Sequence, residues 1–356
     1  YQEGLGSTPD LPTALAYFKQ AAEADYYTYG IKLGRIYEDG DIIEKNLMEA
    51  IKWYSLSAGD NNPLGNLRLG QLYEEGIGVQ QNHQEAFRLY SEAYKEAKEY
   101  WYGSEPTLFT TFQAVCFYLG RLYDEGWGVE QDYAKAIELY KRASDDMVFW
   151  DAEDEEDWWT LSLYNEAYLH ENALGTTKDL YKAERCLKKA ANFGHPWDQF
   201  QLAEFYIRNN DNGENFANAY KWYLKAAEQG YSDAQYELGC LNNRGKNLDK
   251  ANLSWDKKEA VQWLQLAAVQ GNIDAQFELG NLYSLEWTGL NDDKQRLAAH
   301  VWYSIAAANG HHSSAREKKL FERKYLHVDE YDKSKALFDA WFKSEGKVPY
   351  VPKIYN

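Results

Sequence analysis

The chain has 356 residues, more than one compact core of ordinary size holds, so it forms two or three domains or one elongated repeat array. Its 38 basic residues stand against 56 acidic ones, and the formal charge of −18 disfavours nucleic acid and anionic membranes, which repel a polyanion. No apolar run approaches the roughly 18–20 residues that a spanning helix needs, so membrane insertion is not expected.

Read from the start, the chain announces a period. Tyr1 and Ala14 are 13 residues apart, and the same step recurs at Tyr37–Ala50, Tyr73–Ala86, Tyr123–Ala136 and Tyr206–Ala219. A step of 23 joins Ala14–Tyr37, Ala50–Tyr73, Ala183–Tyr206, Ala219–Asn242 and Ala260–Tyr283, which gives a basic period of 36. Tyr1 thus falls at a mid-repeat anchor, and the array is expected to begin before it. After each Ala, apolar residues recur at i, i+3, i+4 and i+7, as in Ala136, Leu139, Tyr140 and Ala143, which is one face of a helix. Gly194, Gly230, Gly271 and Gly310 follow such helices where a left-handed cap belongs. Before each turn a Leu-Gly pair, such as Leu69-Gly70 or Leu119-Gly120, leaves a bare spot where another helix can pack. Each unit is a helix pair that cannot bury its face alone and must stack on its neighbours.

The steps break in places. Ala86–Tyr123 is 37 and Ala136–Tyr168 is 32, so segments near 94–110 and 144–160 are insertions between one unit's second helix and the next unit's first. The fourth full unit, anchored on Tyr168, has a step of 15 to Ala183; it lacks the paired turn glycines, and Gly175 and Thr176 lie in an expanded turn. Asn242 replaces an anchor Tyr. After Gly310, Ala315–Tyr325 and Glu330–Phe342 read as two charged capping helices, giving an array over 1–310, a cap over 311–345 and an extended tail over 346–356. Cys116, Cys186 and Cys240 form no CxxC pair and are expected to fill a helical core rather than a disulfide framework.

The recurring Leu-Gly-x-x-Tyr-x-x-Gly-x-Gly-Val, seen at Leu69 to Val79 and Leu119 to Val129, is followed by Lys-Ala-x-x-x-Tyr at Lys135 to Tyr140. With Trp222 to Gly230, these motifs resemble the Sel-1-like repeat family, relatives of tetratricopeptide arrays. The resemblance runs through Gly310 as one half repeat and seven full ones. It implies an all-α, right-handed superhelical α/α solenoid of tandem helix-turn-helix repeats with a C-terminal helical cap. It also implies a non-catalytic scaffold or adaptor that holds a partner on its concave face.

Two further function classes remain open at this stage. One is an immunity or inhibitor protein, bacterial in type, that neutralises a basic toxin. The other is a glycan- or peptidoglycan-binding module. The acidity suits a partner protein with a basic surface. The insertions supply candidate contacts: Trp101 and Tyr102 in the first, and Trp150, Asp154, Glu155, Glu156, Trp158 and Trp159 in the second, with Trp127 in a hairpin turn. Aromatics give contact area and acids give steering. The same residues could instead pack on the array, with the acids facing water. Seven histidines form no HExxH, and no phosphate-binding loop or nucleophile elbow occurs, so no catalytic, cofactor or metal site is expected. The repeated acid pairs Glu74-Glu75 and Asp124-Glu125 are expected to be structural. A soluble monomer, cytoplasmic or periplasmic/secreted, is the expected form.

Overall fold

The computed structural model describes residues 11–24, 26–41, 43–100, 106–145, 158–209, 213–244, 256–284, 293–326 and 328–343. Every regular element among them is a helix. The chain divides into two compact units, Tyr1–Cys186 and Leu187–Asn356.

In the N-terminal unit, α1 (Leu11–Ala24) precedes the helix pairs α2 (Tyr26–Asp39) with α3 (Leu47–Gly59), α4 (Pro63–Glu75) with α5 (His83–Tyr100), and α6 (Pro106–Glu125) with α7 (Tyr133–Ser144). Then α8 (Trp158–Glu171) leads into α9 (Leu180–Ala191), within which the unit ends. Each second helix starts on an Asn or Asp four residues before the repeat Ala. The Asn46, Asn82, Asp132 and Asp179 side chains accept from the backbone N–H three residues on, the N-cap geometry that satisfies an otherwise orphaned donor. The N–H of each of these caps also donates back to a carbonyl nine residues earlier, at Tyr37, Tyr73, Tyr123 and His170.

That last bond corrects the register of the fourth unit. The spacing reading anchors it on Tyr168 with a step of 15; the hydrogen bonds place His170 at the anchor, and His170–Ala183 is again 13. The turn follows suit. Leu174 N–H donates to Leu169 O as Trp127 does to Leu122 O, so Ala173 and Gly175 stand where Gly126 and Gly128 stand. One of the two turn glycines is therefore present after all. Ala173 occupies the other left-handed position at φ 58°, where Gly126 has 71°.

The second turn glycine also shows how neighbouring units meet. A methyl group on Gly78 would stand 2.8 Å from Leu47 Cβ, one on Gly175 2.5 Å from Tyr133 Cβ, and one on Gly128 would drive into the His83 carbonyl. In each case the turn of one unit rests on the first residue of the preceding unit's second helix. This contact survives the longer connections after α5 and α7, so the inserted residues are accommodated without altering how the turn seats on the preceding helix.

In the C-terminal unit, α10 (Pro196–Arg208) pairs with α11 (Gly213–Glu228), α12 (Ser232–Arg244) with α13 (Lys257–Val269), and α14 (Ile273–Ser284) with α15 (Asp293–Ala308). Both α16 (Ser314–Tyr325) and α17 (Val328–Lys343) pack on α15. Cys116, Cys186 and Cys240 are free thiols buried in helical packing. Burial pushes the Cys116 thiol well above its ordinary range, so it stays protonated and inert.

Candidate functional site

The polar architecture of the first helices fixes what any site can be made of. In three N-terminal hairpins a Gly on the first helix faces the ring of a Tyr on the second: Gly34 with Tyr54, Gly70 with Tyr90 and Gly120 with Tyr140. A methyl on Gly120 would stand 2.9 Å from the Tyr140 ring. The phenol then donates to the carboxylate one turn beyond the glycine: Tyr54 to Glu38, Tyr90 to Glu74 at 2.8 Å and Tyr140 to Asp124 at 3.2 Å. Burial, followed by the Glu74 carboxylate, raises the Tyr90 phenol well above its ordinary value. Burial likewise raises the Asp124 carboxyl, with the Tyr140 hydrogen bond opposing. Of the acid pairs that recur at the turns, Glu74 and Asp124 are hydrogen-bond acceptors of the fold, while Glu75 and Glu125 are exposed.

The next first helix covers each of these pairs. Tyr118 stacks on Tyr90 at 5.3 Å, and Arg121 donates to Glu74, which is only 4% exposed. Burial alone would lower the Arg121 guanidinium; Glu74 and Tyr90 outweigh it and raise it. Gln71 donates to the Tyr118 hydroxyl at 2.7 Å, and Arg68 donates to Gln71 at 3.2 Å.

Of the residues singled out in sequence, Trp101, Tyr102, Trp150, Asp154, Glu155 and Glu156 lie outside the described residues. Trp127 is 40% exposed and stacks on His83 of the preceding unit with ring centroids 5.0 Å apart. Trp158 is half-buried against the core formed by α5, α6 and α7. Trp159 requires a correction: it is only 8% exposed and its indole N–H donates to Ser144 O at 3.0 Å. An exposed indole there would forfeit both that bond and its apolar burial, so Trp159 clamps the start of α8 onto the end of α7 and offers no free contact. Sequence reasoning passed over the exposed Tyr168, at 58%, because it took that residue for the anchor; the register of the cap bonds was the missing signal.

The C-terminal unit holds a cluster with a familiar composition. His300 Nε2 meets the Glu322 carboxylate at 2.7 Å and its Nδ1 meets the Ser334 hydroxyl. The carboxylate requires Nε2 to carry the proton, so Ser334 donates to Nδ1. Ser334 is fully buried, and the three side chains join α15, α16 and α17, with Arg296 paired to Glu330 alongside at 3.0 Å. This arrangement fastens the terminal helices and presents no accessible nucleophile. His311 stacks on Phe277 at 4.1 Å and on His312 at 4.9 Å, with Asp274 3.5 Å from its Nε2. No described helix is long and apolar enough to cross a membrane.

Stacked helix hairpins with this turn, notch and cap geometry define an α/α repeat protein. The chain belongs to the Sel1 repeat family, whose description matches at residues 1–26, 31–62, 63–97, 114–146, 160–195, 199–231, 232–272 and 273–311. Among solved structures it is similar to a Sel1 repeat protein from Oxalobacter formigenes, with 25% identity, a TM-score of 0.51, and 78% of this chain and 99% of that one covered. It also matches c5321, a protective antigen of uropathogenic Escherichia coli strains displaying an SLR fold, at 22% identity and TM-score 0.34, covering 100% and 94%. A further match is the immunity protein Pa5087 from Pseudomonas aeruginosa, at 21% identity and TM-score 0.31, covering 67% and 81%. No curated protein matches the chain.

Proposed function

We propose that this protein is a non-catalytic scaffold or adaptor, and that it engages a partner protein on a concave face lined by its first helices and through the acidic-aromatic insertion near 144–160. The observation that carries this reading is the Sel1 repeat itself, which accounts for most of the chain. The insertion would add aromatic area and negative charge for a partner with a basic patch, and Trp127, 40% exposed in the turn before α7, is a separate candidate contact. The chain is taken as a monomer that works by binding. Inhibition of a basic toxin and glycan binding are served by the same acidity and aromatic content, and no geometry described above favours either.

The test is a paired capture experiment. The intact chain and a triple variant, Asp154→Asn with Glu155→Gln and Glu156→Gln, are used as baits in cell extract, with helical content checked for both. A partner held by the intact chain should be lost from the variant, and its association with the intact chain should slow as salt rises. A partner held equally by both baits would sink the insertion's role. A captured toxin whose activity is blocked would replace the adaptor reading with the inhibitor one.

A further inference from the structure

Two positions on the first helices of the N-terminal unit are free of acids, although the helices themselves carry as many acids as cations or more. Take as reference the notch position, Gly34, Gly70, Gly120 and, in the corrected register, Ala167. One residue after it stand Arg35, Gln71, Arg121 and Tyr168; two before it stand Lys32, Arg68, Tyr118 and Asn165. Residues three apart on a helix are neighbours, and of these eight all but the buried Tyr118 are partly or fully exposed. None of these eight side chains is acidic and four are cationic, in a chain with 56 acids.

The row is linked between α4 and α6. Arg68 bonds Gln71, Gln71 bonds Tyr118, and the Arg121 guanidinium lies 5.1 Å over the Tyr118 ring. Glu38, Glu74 and Asp124 beneath it are occupied by tyrosine hydroxyls. At the α8 end the row becomes apolar: Tyr168 is 58% exposed and Leu161, two turns earlier on the same face, 38%. The exposed acids Asp39, Glu75 and Glu125 lie four residues beyond Arg35, Gln71 and Arg121, at the turn edge. They border the row and would repel an acidic segment that strayed toward the turns. More distant acids matter less, since charges beyond about 8 Å are screened at physiological salt.

We propose that this row binds an extended segment of a partner protein that carries carboxylate side chains across α2, α4 and α6 and sets an apolar or aromatic side chain against Tyr168 and Leu161. Guanidinium groups suit that role because their planar fork matches a carboxylate. The proposal rests on the interaction reading above and names the chemistry of the partner at this face. It separates two recognition surfaces on one chain, a basic-patch contact at the insertion and an acidic-segment contact on the first helices.

The experiment is selection of phage-displayed random dodecapeptides on the immobilised full chain. Selected peptides are then synthesised and their binding measured against the intact protein and variants. Asp and Glu should be enriched over Lys and Arg, with an aromatic or branched apolar residue toward one end. Lys32→Glu with Arg35→Glu should weaken the selected peptides at least about tenfold. Tyr168→Ala should weaken them by about tenfold as well, and these positions lie at the surface, so helical content should hold in all variants. Arg35→Gln, a milder change, keeps the test valid if the double reversal disturbs folding; it should weaken binding severalfold. Selection of basic peptides, or of acidic ones indifferent to these variants, overturns the proposal and leaves the scaffold reading standing. Failure to select any peptide overturns the acidic-segment proposal and counts against peptide binding by this array altogether.

Discussion

The two units hold their helices together with different mixtures of ionic and neutral hydrogen bonds. In three N-terminal hairpins a phenol–carboxylate pair at a glycine notch ties the two helices, and Arg121 of the next hairpin adds a guanidinium to the Glu74–Tyr90 contact. The C-terminal unit also has such a pair, Tyr223 donating to Glu204, and ties successive helix pairs with neutral amides. Gln235 donates to Ala227 O at 3.0 Å and accepts from Gln270 at 2.7 Å; Gln276 donates to Ala268 O at 3.0 Å and accepts from Asn309 at 2.9 Å. Each such glutamine ties the preceding second helix to its own. An amide can donate and accept at once, so the ladder repeats without stored charge. The ionic joint is costlier to break, because a removed partner leaves a desolvated charge behind.

Substitution at the two kinds of joint should separate them. Glu74→Ala strands the half-buried Arg121 and the Tyr90 hydroxyl together, and a loss of about 3–5 kcal/mol is expected. Gln276→Ala leaves one carbonyl and one amide short of partners, and about 1–3 kcal/mol is expected. Urea unfolding followed by hydrogen exchange in α5 and α14 would measure each locally. Equal losses at the two sites would abolish the distinction between ionic and amide joints.

The turn glycines sharpen it further. Gly128→Ala sets a methyl against the His83 backbone in a left-handed conformation, and about 2–4 kcal/mol of destabilisation is expected from overpacking and strain together. Gly194→Ala has the same sign of φ, at 92°, but open space around the new methyl. Only the conformational penalty of about 1–2 kcal/mol applies there. Thermal unfolding of the two variants should show Gly128→Ala the more damaged.

Much of this was legible in the residues. Helix pairs, the Leu-Gly notch and the structural turn acids follow from spacing, because the period places each residue type at one point on one helix face. The fourth unit was misread for a physical reason. Tyr168 satisfies the aromatic pattern, while the true anchor is His170, whose role is a backbone carbonyl bonded by Asp179. Side-chain identity carries no information about a backbone acceptor. Trp158 and Trp159 read as contacts because an indole beside an acidic run looks the same whether it faces a partner or a neighbouring helix; only the Ser144 bond decides it for Trp159.

Acid should act unevenly on the two units. Burial holds His300 below its ordinary value of 6.5, with Glu322 opposing, and burial also lowers His311, with Asp274 opposing. For such groups the unfolded chain takes up the proton first, so the stability they confer is full above about pH 6.5 and is lost as pH falls below it. In the N-terminal unit burial lowers His170 in the same sense, but it raises Glu166, whose contribution is lost in the opposite direction, as pH rises through its folded value. Lowering pH from 7.5 to 5.5 (roughly a unit either side of the histidine value) should therefore speed hydrogen exchange in α16 and α17, the helices that His300 fastens. His300→Gln should flatten that dependence. Exchange in α16 and α17 that ignores pH would remove His300 from the joint.

The smallest effect tests the corrected register directly. Ala173 sits at φ 58° where the neighbouring units carry glycine, a conformation costing a side chain about 1–2 kcal/mol. Ala173→Gly relieves that strain and restores the two-glycine turn of the other N-terminal units. Glycine also widens the unfolded ensemble, which returns part of the gain. A net stabilisation of about 0.5–1 kcal/mol is expected, read as an increased urea midpoint at unchanged slope. If Tyr168 were the anchor, Ala173 would not be a turn-glycine position, and glycine there would destabilise by loosening the loop. The sign of one substitution thus decides which residue of α8 carries the repeat.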